Sequence, residues 1–269
     1  MLRGNYFFRL LLLLPILLLL HTQQAACEFN PPDNIEIERT WSMIAYGETV
    51  GMIRSVRKVD KSLGRILIKD ELASMVGIAP GIQMNAVETS WLGPEGLEKY
   101  TSTFKETNKK DIIRVDGELN HKTKLFNMVL RMNETDPPYP VEFMKDNDYH
   151  WSTAYIALGR LNLVESKKYQ KKILDIYHLE SRDVEVEYLG MEKTEQGGHT
   201  FNCHILRFDY GSLKGTFWLA EDELGYFLVK EHAVATEGPF KLFLDEYEKR
   251  PLNTSKSTTK KKKNQDFAF

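Results

Sequence analysis

Ile35-Glu-Ile-Glu-Arg-Thr-Trp-Ser-Met-Ile-Ala-Tyr-Gly-Glu-Thr-Val-Gly-Met-Ile-Arg-Ser-Val-Arg-Lys-Val59 is the stretch whose reading decides the fold. Ile35, Ile37, Trp41 and Met43 fall on one face of an extended chain, with Glu36, Glu38 and Ser42 on the other. A period of two is the spacing of a half-buried strand, since successive side chains of a strand point to opposite faces. Tyr46-Gly47-Glu48-Thr49 supplies a turn and Val50 to Val59 runs back, so the segment reads as a β-hairpin.

Outward from this hairpin the pattern repeats. Arg65 to Met75 is a further apolar and β-branched run, and Gln83 to Trp91 continues to the turn Gly93-Pro94-Glu95-Gly96. Tyr100 to Thr107 is rich in Thr, which suits a pleat better than a helix. Asp111 to Val115, a turn at Asp116-Gly117, and Lys122 to Met132 read as strand, turn and strand. Asn133 to Pro140, with Pro137, Pro138 and Pro140, reads as a loop. The pattern then changes once. Asp148 can cap a helix with Trp151, Tyr155 and Leu158 along one face and Gly159 at its end. Strand patterns resume at Ile173 to Leu179, Val184 to Leu189, Thr200 to Phe208, Thr216 to Ala220, Tyr226 to His232, and Phe240 to Leu244. The expected fold is therefore mainly β, an antiparallel meander forming a curved sheet or half-barrel with one short helix.

The ends read differently. Arg9 precedes eleven residues, Leu10 to Leu20, that are Leu or Ile apart from Pro15, and Gln24-Ala25-Ala26-Cys27 follows. That is the pattern of an export signal, and the run falls short of the roughly 20 residues needed to span a bilayer as helix. Residues 1–27 are thus expected to be a signal peptide. Residues 28–250 form a single β-rich domain, and 251–269 are a disordered, Lys-rich tail. Removal of the leader leaves about 240 residues, enough for one large β domain. The small residues before Cys27 also resemble a lipoprotein box, with Gln24 where that box has Leu; plain cleavage and lipidation of Cys27 both stay open. Either Cys27 or the lysines from Lys260 to Lys263 offers a route to the membrane surface.

Composition excludes some functions. An apolar fraction of 42% with 11% aromatics supports a packed core. The net charge of −2 includes the basic tail, so the body is more acidic still and does not suit a nucleic-acid partner. With two cysteines, Cys27 and Cys203, there is no disulfide framework. Ser55-Val56-Arg57-Lys58 fits S-x-x-K, but on a strand Ser and Lys three apart face opposite ways. His199, Cys203 and His204 do not converge as metal ligands, because Cys203 and His204 are adjacent on a strand. Glu221-Asp222-Glu223 reads as solvated turn residues. The chain is thus read as non-enzymatic, with no cofactor or metal.

Aromatic and apolar side chains spread over many strands remain. They either fill a dry core or line an apolar cavity on a concave sheet; the cavity candidates are Trp41, Met43, Trp91, Tyr100, Phe104, Trp151, Tyr155 and Trp218.

Five motifs carry a resemblance. They are the Trp41 to Met52 hairpin, Asp146-Asn-Asp-Tyr-His-Trp-Ser-Thr153, Gly197-Gly-His-Thr-Phe201, Gly215-Thr-Phe-Trp-Leu-Ala-Glu-Asp222 and Tyr226-Phe-Leu-Val-Lys230. In this order they resemble a bacterial family of exported β proteins of the domain-of-unknown-function type, similar in shape to the half-barrels of lipoprotein and lipid carriers. The resemblance covers roughly Arg39 to Tyr247 and brings no catalytic residues. It implies an exported protein, periplasmic or envelope-associated, whose curved sheet binds a lipid or other hydrophobic ligand. The alternatives are an envelope interaction or scaffolding module with a dry β core and an envelope protein as partner, and a hydrolase with an unrecognised site.

Overall fold

The computed structural model describes residues 31–74, 84–94, 96–106, 112–133, 136–144, 149–150, 163–175, 180–211, 213–235 and 238–252. All of them belong to one compact unit. They form β1 (Ile35–Ala45), β2 (Glu48–Asp60), β3 (Arg65–Ser74), β4 (Met84–Gly93), β5 (Gly96–Glu106), β6 (Ile112–Asn120), β7 (Leu125–Arg131) and β8 (Tyr139–Met144). The second half contains β9 (Tyr149–His150), β10 (Lys168–Asp175), β11 (Glu180–Gln196), β12 (His199–Asp209), β13 (Lys214–Asp222), β14 (Gly225–Ala235) and β15 (Gly238–Pro251). No described residue is helical.

One sheet takes all of these strands, in the order β8-β7-β6-β5-β4-β3-β2-β1-β15-β14-β13-β12-β11-β10-β9. Each half is a meander of hairpins, and the halves join where the first strand pairs antiparallel with the last. Every pairing is antiparallel except that of the two-residue β9 with β10. The sheet is curved and unclosed, and β9 comes within 8 Å, Cα to Cα, of β5 in the other half.

Local chemistry sets the hairpins. Tyr46 and Gly47 have φ of 55° and 85°, the two positive values of a two-residue turn whose twist matches its flanking strands. The turn is thus shorter than the four residues expected, and Glu48 already belongs to β2. β4 ends at Gly93 and β5 begins at Gly96, where the turn signal stands. Two expectations fail. Asp116-Gly117 is not a turn; β6 runs through it to Asn120, and the turn lies at 121–124. Gly117 is needed at an inward position because a Cβ there would meet Phe126 Cε1 at 2.5 Å. Pro140 lies inside β8, opposite Val129, where an outermost strand tolerates a missing donor. As for the helix, Tyr149 and His150 are strand rather than its first turn, and 151–159 lie outside the described residues.

Cross-strand registers define the inner face row by row. At one end Ile35, Val59, Ile66, Leu92, Leu97, Leu119 and Phe126 are all buried. In the second half Val184, Val186, Leu206, Phe208, Phe217, Ala233 and Leu242 make the corresponding core, with the Phe208 and Phe217 rings stacked 3.9 Å apart. The outer face carries charge ladders such as Arg250–Glu38–Arg54–Glu71, whose members are partly exposed and add modestly to stability.

Candidate functional site

Four consecutive strands break the inward apolar alternation with a charge. Arg39 follows Ile35 and Ile37 on β1, Arg57 follows Ser55 on β2, Asp70 follows Ile66 and Ile68 on β3, and Glu88 follows Ala86 on β4. Their registers place them together. Arg39 is opposite Ser55, Ser55 opposite Asp70, Asp70 opposite Glu88, and Glu88 opposite Ser102 on β5. Arg57, Ile68, Ser90 and Tyr100 form the adjoining row. Arg39, Ser55, Arg57, Glu88, Ser90, Tyr100 and Ser102 are all buried, and Asp70 is half-buried. A polar band two rows deep thus crosses the inner face, between an apolar row at the Ile35 end and another holding Trp41, Ile53, Leu72, Ala86, Phe104 and Ile113.

The tip of the β13–β14 hairpin closes one side of this band. Past Leu219 the hairpin has no partner in β12, and before Lys230 it has none in β15; register shifts at Trp218/Leu219 mark the departure. The free tip lies over β1 and β2. Leu224 is buried against Ile35, Ile37 and Val59. Asp222 forms a salt bridge with Arg39. Arg57 Nη1 donates to Tyr226 O at 2.6 Å, and Trp41 Nε1 donates to Leu228 O at 2.9 Å. The Phe227 ring lies 4.2 Å from the Arg39 guanidinium, and Tyr247 stacks on Phe227 at 5.5 Å. Asp222 is therefore not a solvated turn residue. Its side chain is 6% exposed because it neutralises a fully buried cation.

Electrostatics at the band are unusual for a β core. Burial pushes the Asp70 carboxyl up to about 6; the Ser55 hydroxyl pulls it down, the Glu88 charge adds to the rise, and Arg57 and Arg39 oppose it. Tyr247 is pushed up to about 12 by burial and by the neighbouring Asp222 charge. Arg39 Nε and Nη1 and the Ser102 hydroxyl have no hydrogen-bond partner among the described residues. Chemically the band offers buried guanidinium donors, two carboxyls, of which Asp70 is raised to about 6, and hydroxyls, so it can engage a polar group presented inside the sheet. No group of three or more metal-ligating side chains occurs among the described residues.

The cavity candidates are not brought into one lining. Trp41 is buried with Phe227, Val229 and Leu244, and Met43 is half-buried against the core of the second half. Tyr100 and Phe104 are inward on β5. Trp91 stands on the outer face, its Nε1 donating to Asp60 and Lys99 lying 5.0 Å over its ring. Trp218 packs, half-buried, against the cluster that holds Trp41, with Lys230 4.1 Å over its ring. Trp151, Tyr155 and Cys27 lie outside the described residues. Cys203 is buried in the Trp41 cluster, whereas His204 reaches Tyr188 OH at 3.2 Å, so these two part as expected. Ser55 faces inward and Lys58 outward toward Glu36, at 3.6 Å.

The polar band is not among the sites that the sequence motifs point to. Its signal was present: a charge at the inward parity of four neighbouring strands, where solvent cannot be the reason for it.

In comparison with known proteins, no family model matches the chain and no curated protein matches it. Among solved structures it shares the fold of a beta-barrel-like protein of the domain of unknown function DUF1849 from Brucella abortus, with a TM-score of 0.56 at 9% identity over 81% of this chain and 98% of that one. A second match is a "putative lipoprotein" from Parabacteroides distasonis, 12% identical over 82% of this chain and 98% of that one; its TM-score of 0.30 is too low to bear on the fold.

Proposed function

We propose that this is an exported envelope protein without enzymatic activity that carries an amphiphilic ligand against the inner face of its curved sheet. The observation behind the reading is the grading of that face. Its rows are buried at the Ile35 end, polar at Arg39–Glu88, and apolar beyond, where Met43, Ile53, Leu72, Met84 and Ile113 are only half-buried beside the buried Trp41, Ala86 and Phe104. Half-buried apolar side chains at inward positions are the wall of an opening rather than of a sealed core. A hydrocarbon chain would gain about 25 cal/mol per Å² there, and the band would fix its polar end. Export rests on the leader at 1–27, and attachment to the envelope on Cys27 or the lysine tail.

Native mass spectrometry with lipid extraction, on mature protein purified from its own envelope, tests the reading. A stoichiometric lipid is expected, retained less well by R57M. A clean apo mass, with no lipid taken up on incubation with host lipid extract, would overturn it in favour of a dry-cored interaction module. The intact mass also reports whether Cys27 is acylated or removed.

A further inference from the structure

Glu231 sits on β14 at the centre of the apolar half of the sheet. Its register partners are Phe217 on one side and Leu242 on the other, with Val229 and Ala233 along its own strand. Leu206 and Met43 extend the row beyond these partners. The residue is 2% exposed. Among the described residues no salt bridge or hydrogen bond joins it to a neighbour, and burial alone moves its carboxyl, pushing it up to about 8. A buried carboxyl with nothing to bond is a cost to folding that Leu or Met of similar volume would remove. A polar group held at such a position answers to something other than the fold.

We propose that Glu231 is the polar contact of a second ligand subsite, which takes a neutral hydrogen-bonding group, a hydroxyl or primary amide, on an otherwise apolar molecule. This rests on the reading of the sheet as a carrier of hydrophobic ligands and adds to it a place and a chemistry remote from the Arg39–Glu88 band. Met43 separates the two, four residues along β1 from Arg39 and two strands across from Glu231. At neutral pH the side chain is a carboxylic acid, so it can donate and accept together, as a hydroxyl or amide does in return. An alkane satisfies neither atom. A ligand ammonium would have to shed its water among Phe217, Leu242 and Val229, which only a full ion pair could offset.

The test is displacement of N-phenyl-1-naphthylamine from the full mature chain at neutral pH by cetyl alcohol, palmitamide, cetylamine and hexadecane, for wild type, E231Q and E231L, with a thermal melt of each. Wild type is expected to prefer the alcohol and the amide to hexadecane by about tenfold, the worth of one buried hydrogen bond. E231Q keeps that preference, because an amide also donates and accepts. E231L loses it and melts at a higher temperature. A preference unchanged in E231L, tightest binding of the amine, or a lower melting temperature in E231L with binding intact would each overturn the subsite while leaving the carrier reading in place. Failure of the wild type to bind probe or any competitor removes both. E231M serves in the same comparison should E231L not fold.

Discussion

Arg39 occupies the one inward position of β1 between Ile37 and Trp41, and its whole side chain is buried against Asp222, Phe227 and Tyr247. Truncating one member of a buried ion pair strands the other, so R39A should destabilise by about 3–5 kcal/mol in urea unfolding. The double substitution R39M/D222L should recover most of that loss, because two apolar groups leave nothing unpaired; no recovery would mean that the pair is not the cause. Gly117 makes a second, independent case. G117A should lower the urea midpoint by an amount equivalent to about 1–3 kcal/mol, since its methyl must displace the Phe126 ring. Both residues show what the sequence could and could not give at this scale. Arg39 was legible as a charge at an apolar parity, but its partner lies 183 residues away on a hairpin tip that local reading takes for solvated. Asp116-Gly117 has the composition of a turn. Only the ring packed on the inner side explains the glycine.

At the scale of elements, alternation carried the reading. Every strand pattern quoted from the sequence lies in or overlaps a strand, because a sheet with one buried face enforces period two. The misses are where tertiary position overrides composition, as at Pro140, which an outermost strand can accept. The bent β13–β14 hairpin could not be foreseen, since its register shifts depend on neighbours and not on its own residues. Its tip is held chiefly by Leu224, which is fully buried although it sits at a turn. L224A should cost about 2–4 kcal/mol. It should also raise amide hydrogen exchange across Glu221–Tyr226 far more than across β11 and β12. Uniform acceleration over the whole sheet would show that the tip is not a separable unit.

For the molecule as a whole, half-buried imidazoles and desolvated acids pull the response to pH in opposite directions: burial lowers His204 and His232, so they add stability as pH rises to the ordinary imidazole range. Asp70 and Glu231 have carboxyls raised to about 6 and about 8 in the folded state, so the native protein holds their protons more tightly than the unfolded chain does. Their contribution is complete below the ordinary carboxyl range and is lost as pH rises, up to about 6 for Asp70 and about 8 for Glu231. Above the imidazole range, where of these groups only Glu231 still gives up its proton, urea midpoints should fall from about pH 7 to about pH 8 in wild type, and E231Q should flatten that fall; an unchanged slope in E231Q would remove Glu231 as its source.

The pairing of β1 with β15 has a consequence in time rather than in space. The two strands at the middle of the sheet are the first and the last to emerge, and Leu252 N closes onto Asn34 O at 2.6 Å. Either meander can begin to form alone, but the seam between them waits for the C-terminal strand, a contact of the longest sequence separation and hence a late one. On the proposed export, such an order would leave the seam open until the last strand has crossed, whatever either meander does alone. A circular permutant opened at 121–124 and joined through a short linker from 252 to 34 should reach the same sheet faster than the natural order in stopped-flow refolding. Equal rates would show that the seam is not what the chain waits for.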